Sequence, residues 1–320
     1  MKKVALLLVA AAALLWIASP AQAFLGTGLL PFGGMFGSGG GCNPCEEPFK
    51  MIVPPILYVG WNDDPRGVVW NENSSGAVTG FYQVSQGHRV RGWWLGVTQQ
   101  VNLSENLSIL ASGWYLFPLG TEAPEFYSEP GGATTFQRVW SVKDEWWFVD
   151  GLAAFSPGYA GGFALLAGLR YDYFYSKYDS PYNNFGFPSS PLDEATIRSQ
   201  AWIPLIGAQY AYNGPLSSLS MRFVGFPTLG GNFRGNENVG AGVSPGEGRG
   251  NYQGGYFLEF FGEASRNISG ANIGVFVRWN DFHAHAPSLS TTTLGIGSQT
   301  VDFDLDRHSW TAGGMVSVNF

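Results

Sequence analysis

The last eleven residues, Trp310 to Phe320, alternate in character. Val318, Val316, Gly314, Ala312 and Trp310 keep one side apolar or small, behind a terminal aromatic, Phe320. Asn319, Ser317, Gly313, Thr311 and Ser309 keep the other side polar or small, with Met315 the exception. Successive side chains of a strand point to opposite faces, so this is a strand with one greasy and one wet face. The same period of two recurs upstream. It runs through Trp93 to Leu103, Leu107 to Phe117, Trp147 to Phe155, Phe163 to Tyr175, Trp202 to Tyr212, Leu219 to Phe223, Tyr256 to Phe260 and Ile273 to Trp279. A chain built this way folds into a sheet whose two faces need two different solvents.

The first residues are an address. Lys2 and Lys3 precede an apolar run from Val4 to Ala18, and Ala21 and Ala23 supply the small-x-small pattern of signal-peptidase cleavage. Residues 1–23 are therefore expected to be a secretory signal peptide, with the mature chain starting at Phe24. No later stretch is long and apolar enough for a spanning helix. Yet charged residues make up only 13% of the chain and aromatics 16%, against roughly 25% charge in an average soluble domain. An exported chain this poor in charge needs an apolar environment other than a helix bundle. The net charge of −7 excludes a basic footprint for nucleic acid.

Connections between the alternating segments are short and long in turn. Those near 104–106, 156–161, 213–217 and 266–270 are short. Those near 120–137, 179–198, 227–252 and 286–306 are long and rich in Gly, Pro, Ser and Asn. Amphipathic strands with this rhythm make a closed transmembrane barrel, short turns in the periplasm and long loops outside. Lipid cannot hydrogen-bond backbone groups, so a sheet within it must close and leave no edge.

On these residues, and on the terminal Trp310, Val316, Val318 and Phe320 above all, the chain resembles the bacterial outer-membrane β-barrel proteins. The resemblance covers about residues 50 to 320. It implies an all-β fold, a closed antiparallel transmembrane barrel in the bacterial outer membrane. It also implies lipid or lipopolysaccharide around the barrel, and an assembly machinery that reads the terminal strand. Nine strands are readable, and an even count calls for one more before them. Ile52 to Trp61 is the candidate, despite Pro54 and Pro55. The expectation is ten strands over residues 51–320, with eight or twelve as the alternatives, after a Gly- and Phe-rich periplasmic segment at 24–50.

If the apolar face meets lipid, the other face lines the lumen. That face carries Asp150, Arg170, Asp172, Arg222, Glu259, Glu263 and Arg278, read as a network of ion pairs, because lone buried charges are costly. It also carries Trp94, Trp114, Trp146, Phe148, Phe174, Phe257, Phe261 and Phe276. A small barrel is about wide enough for its own side chains, so these rings favour a packed or narrow lumen over an open pore. Outward aromatics such as Tyr171, Tyr210, Trp279 and Trp310 suit interfacial girdles.

Three patterns carry candidate chemistry. Asp281, His283 and His285 share one strand face, as do Asp302, Asp304 and Asp306, and a mixed cluster of this kind suits Zn²⁺ or another divalent ion. The competing reading is a solvated stem. Asp281-Phe282-His283 resembles the Asp-x-His pair of omptin proteases, with Asp63 and Asp64 as partner acids, but the wider omptin motifs are missing. Likewise, His308-Ser309 is no better than chance as a nucleophile pair. Cys42 and Cys45 are spaced for a small local disulfide in an oxidising compartment, with metal or redox use as the alternative. The sequence thus predicts a structural or surface-interacting barrel with no cofactor and no catalytic residue. A narrow porin for a small solute comes next, and a surface enzyme acting on peptides or lipid A last.

Overall fold

The computed structural model describes residues 52–318 apart from 77–79, 129–133, 158–161, 184–193, 214–216, 228–229, 239–245 and 294–296. The expected leader, the segment with Cys42 and Cys45, and Phe320 lie outside the described residues.

Every regular element described is a strand. The first four are β1 (Ile52–Gly76), β2 (Gly80–Asn102), β3 (Leu107–Pro118) and β4 (Thr121–Ser128). Next come β5 (Thr134–Phe155), β6 (Phe163–Asn183), β7 (Glu194–Asn213), β8 (Ser217–Phe226) and β9 (Gly230–Asn238). The last four are β10 (Gly246–Asn251), β11 (Gly254–Ile268), β12 (Ala271–Thr293) and β13 (Gly297–Val318).

β1 pairs antiparallel with both β2 and β13, which closes the sheet. At the short-turn end the ring runs β1-β2-β3-β5-β6-β7-β8-β11-β12-β13, ten strands. Toward the long hairpins, β4 replaces β3 between β2 and β5, and β9 with β10 replaces β8 with β11 between β7 and β12. The count stays ten because β3–β4, β8–β9 and β10–β11 are staves with a break in each. β1 confirms the first strand expected from sequence. Its register slips between Val53 and Ile56, where Pro54 and Pro55 have no N–H to give the ladder.

The long loops expected at 120–137, 179–198, 227–252 and 286–306 are corrected: strand runs deep into each. The cause is an exchange of faces along continuous strands. On β12 the outward side reads Ile273, Val275, Val277 and Trp279, then Asp281, His283 and His285. The inward side reads Asn272, Arg278 and Asn280, then Phe282, Ala284 and Ala286, all buried. β13 repeats this beyond Trp310: His308, Asp306 and Asp304 turn out, while Leu305 and Phe303 are buried. The barrel is thus greasy outside and polar inside at one end, and the reverse at the other.

Aromatic pairs mark where the exchange happens. Trp61–Trp93, Trp147–Tyr173, Tyr171–Trp202 and Trp279–Trp310 face outward with ring centroids 5.0, 5.3, 4.7 and 6.2 Å apart. Phe155, Phe163, Tyr210 and Tyr212 are exposed near the short turns. Between the two belts lies the apolar band, about 25 Å tall in such barrels. A strand of 22 residues such as β13 is about 70 Å long. At a tilt of ~40° it rises about 55 Å, so roughly half the wall stands beyond the membrane. That half has its own core, with Val68, Val90, Leu116, Val142, Ile197, Phe233, Phe303 and Leu305 buried, each worth about 1.5–3 kcal/mol on burial.

Candidate functional site

The lumen is bridged from wall to wall. Glu259 on β11 is fully buried and accepts Arg170 Nη1 at 2.9 Å, Arg278 Nε at 2.8 Å and Arg222 Nη2 at 3.2 Å. Arg170 on β6 also donates Nη2 to Asp150 Oδ2 at 2.5 Å, and Ser112 donates to the other oxygen of Asp150. The Phe148 ring centroid lies 4.2 Å from the guanidinium carbon of Arg170 and 4.0 Å from that of Arg278. β5 and β12 are five places apart in a ring of ten, so the Phe148–Arg278 contact spans the full diameter.

A second bridge lies higher. Arg307 Nη1 on β13 sits 2.6 Å from Asp172 Oδ1 on β6, again the opposite wall. The contact is an ion pair without hydrogen-bond alignment, since both atoms lack a hydrogen-bond partner. The Arg307 guanidinium carbon rests 3.9 Å over Phe282 and 4.9 Å over Trp146, and Trp146 Nε1 donates to Asp172 Oδ2 at 3.1 Å. Toward the short turns, Tyr58 meets Trp114, Phe261 and Phe276 at 5.1–5.6 Å. Gly96 lets this happen, because a Cβ there would stand 2.5 Å from the Trp114 ring.

Of the seven charged residues expected inside, the structure brings six into these ion pairs: Asp150, Arg170, Asp172, Arg222, Glu259 and Arg278. Glu263 instead accepts the Tyr58 phenol at 2.8 Å. Sequence reasoning missed Arg307 and a buried cluster in the projecting half. There His88 Nε2 lies 2.9 Å from Asp144 Oδ1, Tyr178 OH lies 3.3 Å from His88 Nδ1, and Ser176 donates to Asp144. The signal was available, since Asp144 continues the inward parity of Trp146, Phe148 and Asp150. Reading the long connections as loops hid it.

On the outer wall the residues weighed as a metal cluster or a solvated stem fall into pairs. His283 Nδ1 lies 2.7 Å from Asp306, His285 Nδ1 lies 2.6 Å from Asp304, and His308 Nδ1 lies 3.2 Å from Asp281. Each pair sits directly opposite in the β12–β13 register. Direct opposition lets every imidazole take its own carboxylate, and among the described residues no three His, Cys, Asp or Glu form a metal-holding group. Asp302 faces Asn73 across β1, and its side chain lies outside the described ones. The protease-like set does not assemble either. Asp281 and His283 face outward, Asp63 pairs outside with Arg89 at 3.1 Å, and Asp64 is buried. His308 and Ser309 point to opposite faces, and Ser309 donates inward to Asn62 at 2.6 Å. Trp310 and Val316 are exposed on the lipid face of the terminal strand, and Val318 closes it.

A closed ten-stranded antiparallel sheet with two outward aromatic belts and a polar, filled interior defines an outer-membrane β-barrel. Among solved structures, the chain is similar to the outer-membrane protease OmpT of Escherichia coli. The TM-score is 0.61 at 12% identity, over 84% of this chain and 98% of that one. At this identity the likeness concerns the fold alone. The β domain of the Bordetella autotransporter BrkA (13% identity, 84% of this chain, 100% of that chain) and a Pseudomonas aeruginosa FadL homologue (8%, 83% and 90%) have TM-scores of 0.32 and 0.29, too low to carry an argument. The sequence matches no protein-family model and no curated protein.

Proposed function

We propose that this protein is a sealed barrel of the bacterial outer membrane, reached through a cleaved leader. Its role lies with its outer surface and its projecting half, and not with passage or catalysis in its lumen. The observation that carries this reading is the pair of wall-to-wall bridges, Phe148–Arg278 and Asp172–Arg307, each joining opposite strands through buried groups. A pore wide enough for a solute has no room for such contacts. The buried core of the projecting half supports the same reading, because it closes the tube a second time. In this account the belts sit in lipid and lipopolysaccharide, β13 is the strand that the assembly machinery engages, and the polar outer wall meets a surface ligand.

The OmpT-like fold does not by itself bring a protease site, because Asp63, Asp64, Asp281 and His283 are divided between the two sides of the wall. Comparing a deletion strain with its parent tests the proposal. Unchanged uptake of small sugars and amino acids, unchanged surface peptidase and lipid A modification, and altered surface attachment or detergent resistance are expected. A loss of uptake, or of a hydrolytic activity that the purified barrel restores, would overturn it.

A further inference from the structure

His283 and His285 stand one residue apart on the outward face of β12, so their imidazoles project side by side. Both engage a carboxylate through Nδ1, at 2.7 Å to Asp306 and 2.6 Å to Asp304. A carboxylate only accepts, so Nδ1 carries the proton in each of these contacts and Nε2 is the ring nitrogen turned away from the acid. Tyr256 stacks on His283 at 5.5 Å and 28°, which fixes the plane of that ring. The two imidazoles are 32% and 40% exposed, on the wall above the Trp279–Trp310 belt. A lone histidine at such a place is an ordinary surface residue. Two on one strand face at i and i+2, each held by an acid through Nδ1, share the supporting pattern found behind metal-ligating histidines, where a carboxylate sets tautomer and orientation.

We propose that His283 and His285 chelate a transition-metal ion, Cu²⁺, Ni²⁺ or Zn²⁺, through their Nε2 atoms, with Asp304 and Asp306 as supports and not as ligands. Imidazole nitrogen selects these ions, whereas Mg²⁺ and Ca²⁺ require oxygen. Metal–nitrogen bonds of about 2.0–2.1 Å draw the two rings together over Ala284. Two protein ligands leave the remaining positions to water or to a donor from outside, so the ion is an accessible one at the cell surface. Cation and ligands add without redox change, and no bond is broken.

The test is calorimetric titration of the folded full-length barrel in detergent micelles with CuCl₂, NiCl₂ and MgCl₂, together with Cu²⁺ electron paramagnetic resonance. Binding of one ion per barrel is expected, tighter for Cu²⁺ than for Ni²⁺ and absent for Mg²⁺, with two nitrogens in the Cu²⁺ spectrum. His283→Ala or His285→Ala should weaken binding at least about tenfold, and Asp304→Asn or Asp306→Asn about 10–100-fold. His308→Ala should leave it unchanged, and heat-modifiable gel mobility establishes that each variant is folded. Binding that survives both histidine substitutions, or that disappears in Cys42→Ser/Cys45→Ser instead, would overturn the proposal.

Discussion

Removing one charge at the centre of the lumen distinguishes a dry interior from a wet one. Glu259→Gln keeps the shape of the side chain but withdraws the carboxylate that three arginines share. Arg170 and Arg278 approach it at 2.9 and 2.8 Å, Arg222 at 3.2 Å, and all four side chains are buried. In the variant, Asp150 is the carboxylate still bonded to Arg170, and the new amide turns a donor toward guanidiniums that also donate. With the amide nitrogen in place of Oε2, the two bonds from Arg170 and Arg278 are lost; at about 1.5–3 kcal/mol each they sum to about 3–6 kcal/mol, which overlaps the cost of about 3–5 kcal/mol for orphaning one side of a buried pair. In a water-filled pore the same pairs would be worth about 0–1 kcal/mol. Equilibrium unfolding in urea, followed by the fluorescence of the tryptophans beyond the leader, measures the difference. Arg278→Met, alone and combined with Glu259→Gln, should show coupling in the range of about 0.5–3 kcal/mol. A loss below about 1 kcal/mol for Glu259→Gln would refute the dry lumen.

Three further outcomes follow from other parts of the wall. Val275 is 64% exposed at mid-band, so Val275→Arg should cost about 2–4 kcal/mol, whereas His285→Arg, beyond the belt, should cost about 0–1 kcal/mol; equal costs would misplace the membrane. Gly96→Ala drives a methyl into the Trp114 ring and should cost about 1–3 kcal/mol, read as a lowered urea midpoint. Tyr252, in the projecting half, donates to Ser199 at 2.6 Å, and burial pushes its phenol up to about 12. The folded state thus holds this proton more tightly than the unfolded chain, with its value near 10. Stability is therefore intact below pH ~10 and falls by roughly 2–3 kcal/mol as pH rises to ~12. Tyr252→Phe should remove that alkaline step in unfolding titrations.

Much of the membrane half was legible because lipid imposes a strict rule on sequence. Parity counted back from Phe320 placed Val316, Trp310, Val275 and Trp279 outward and Arg278, Glu259 and Phe148 inward, as the structure has them. The projecting half was hidden by the same rule applied too narrowly. Beyond Trp279 the outer face meets water, so Asp281, His283 and His285 look like loop, although Phe282, Ala284 and Ala286 continue a buried face. Alternation had not stopped there; its sign had changed. Arg222 and Arg278 flank the strand of Glu259, so those pairs join neighbouring strands and were legible. The pairs Arg307–Asp172 and Arg170–Glu259 were not, because they depend on distances across the lumen or around it that period two does not encode.

The account rests on a lumen closed by its own side chains, and single-channel recording of the purified barrel in planar bilayers addresses that directly. The sealed barrel predicts a silent bilayer at any applied voltage the membrane tolerates, with no discrete steps after insertion has been verified by protease protection. Reproducible unitary steps from the folded wild-type protein would contradict it.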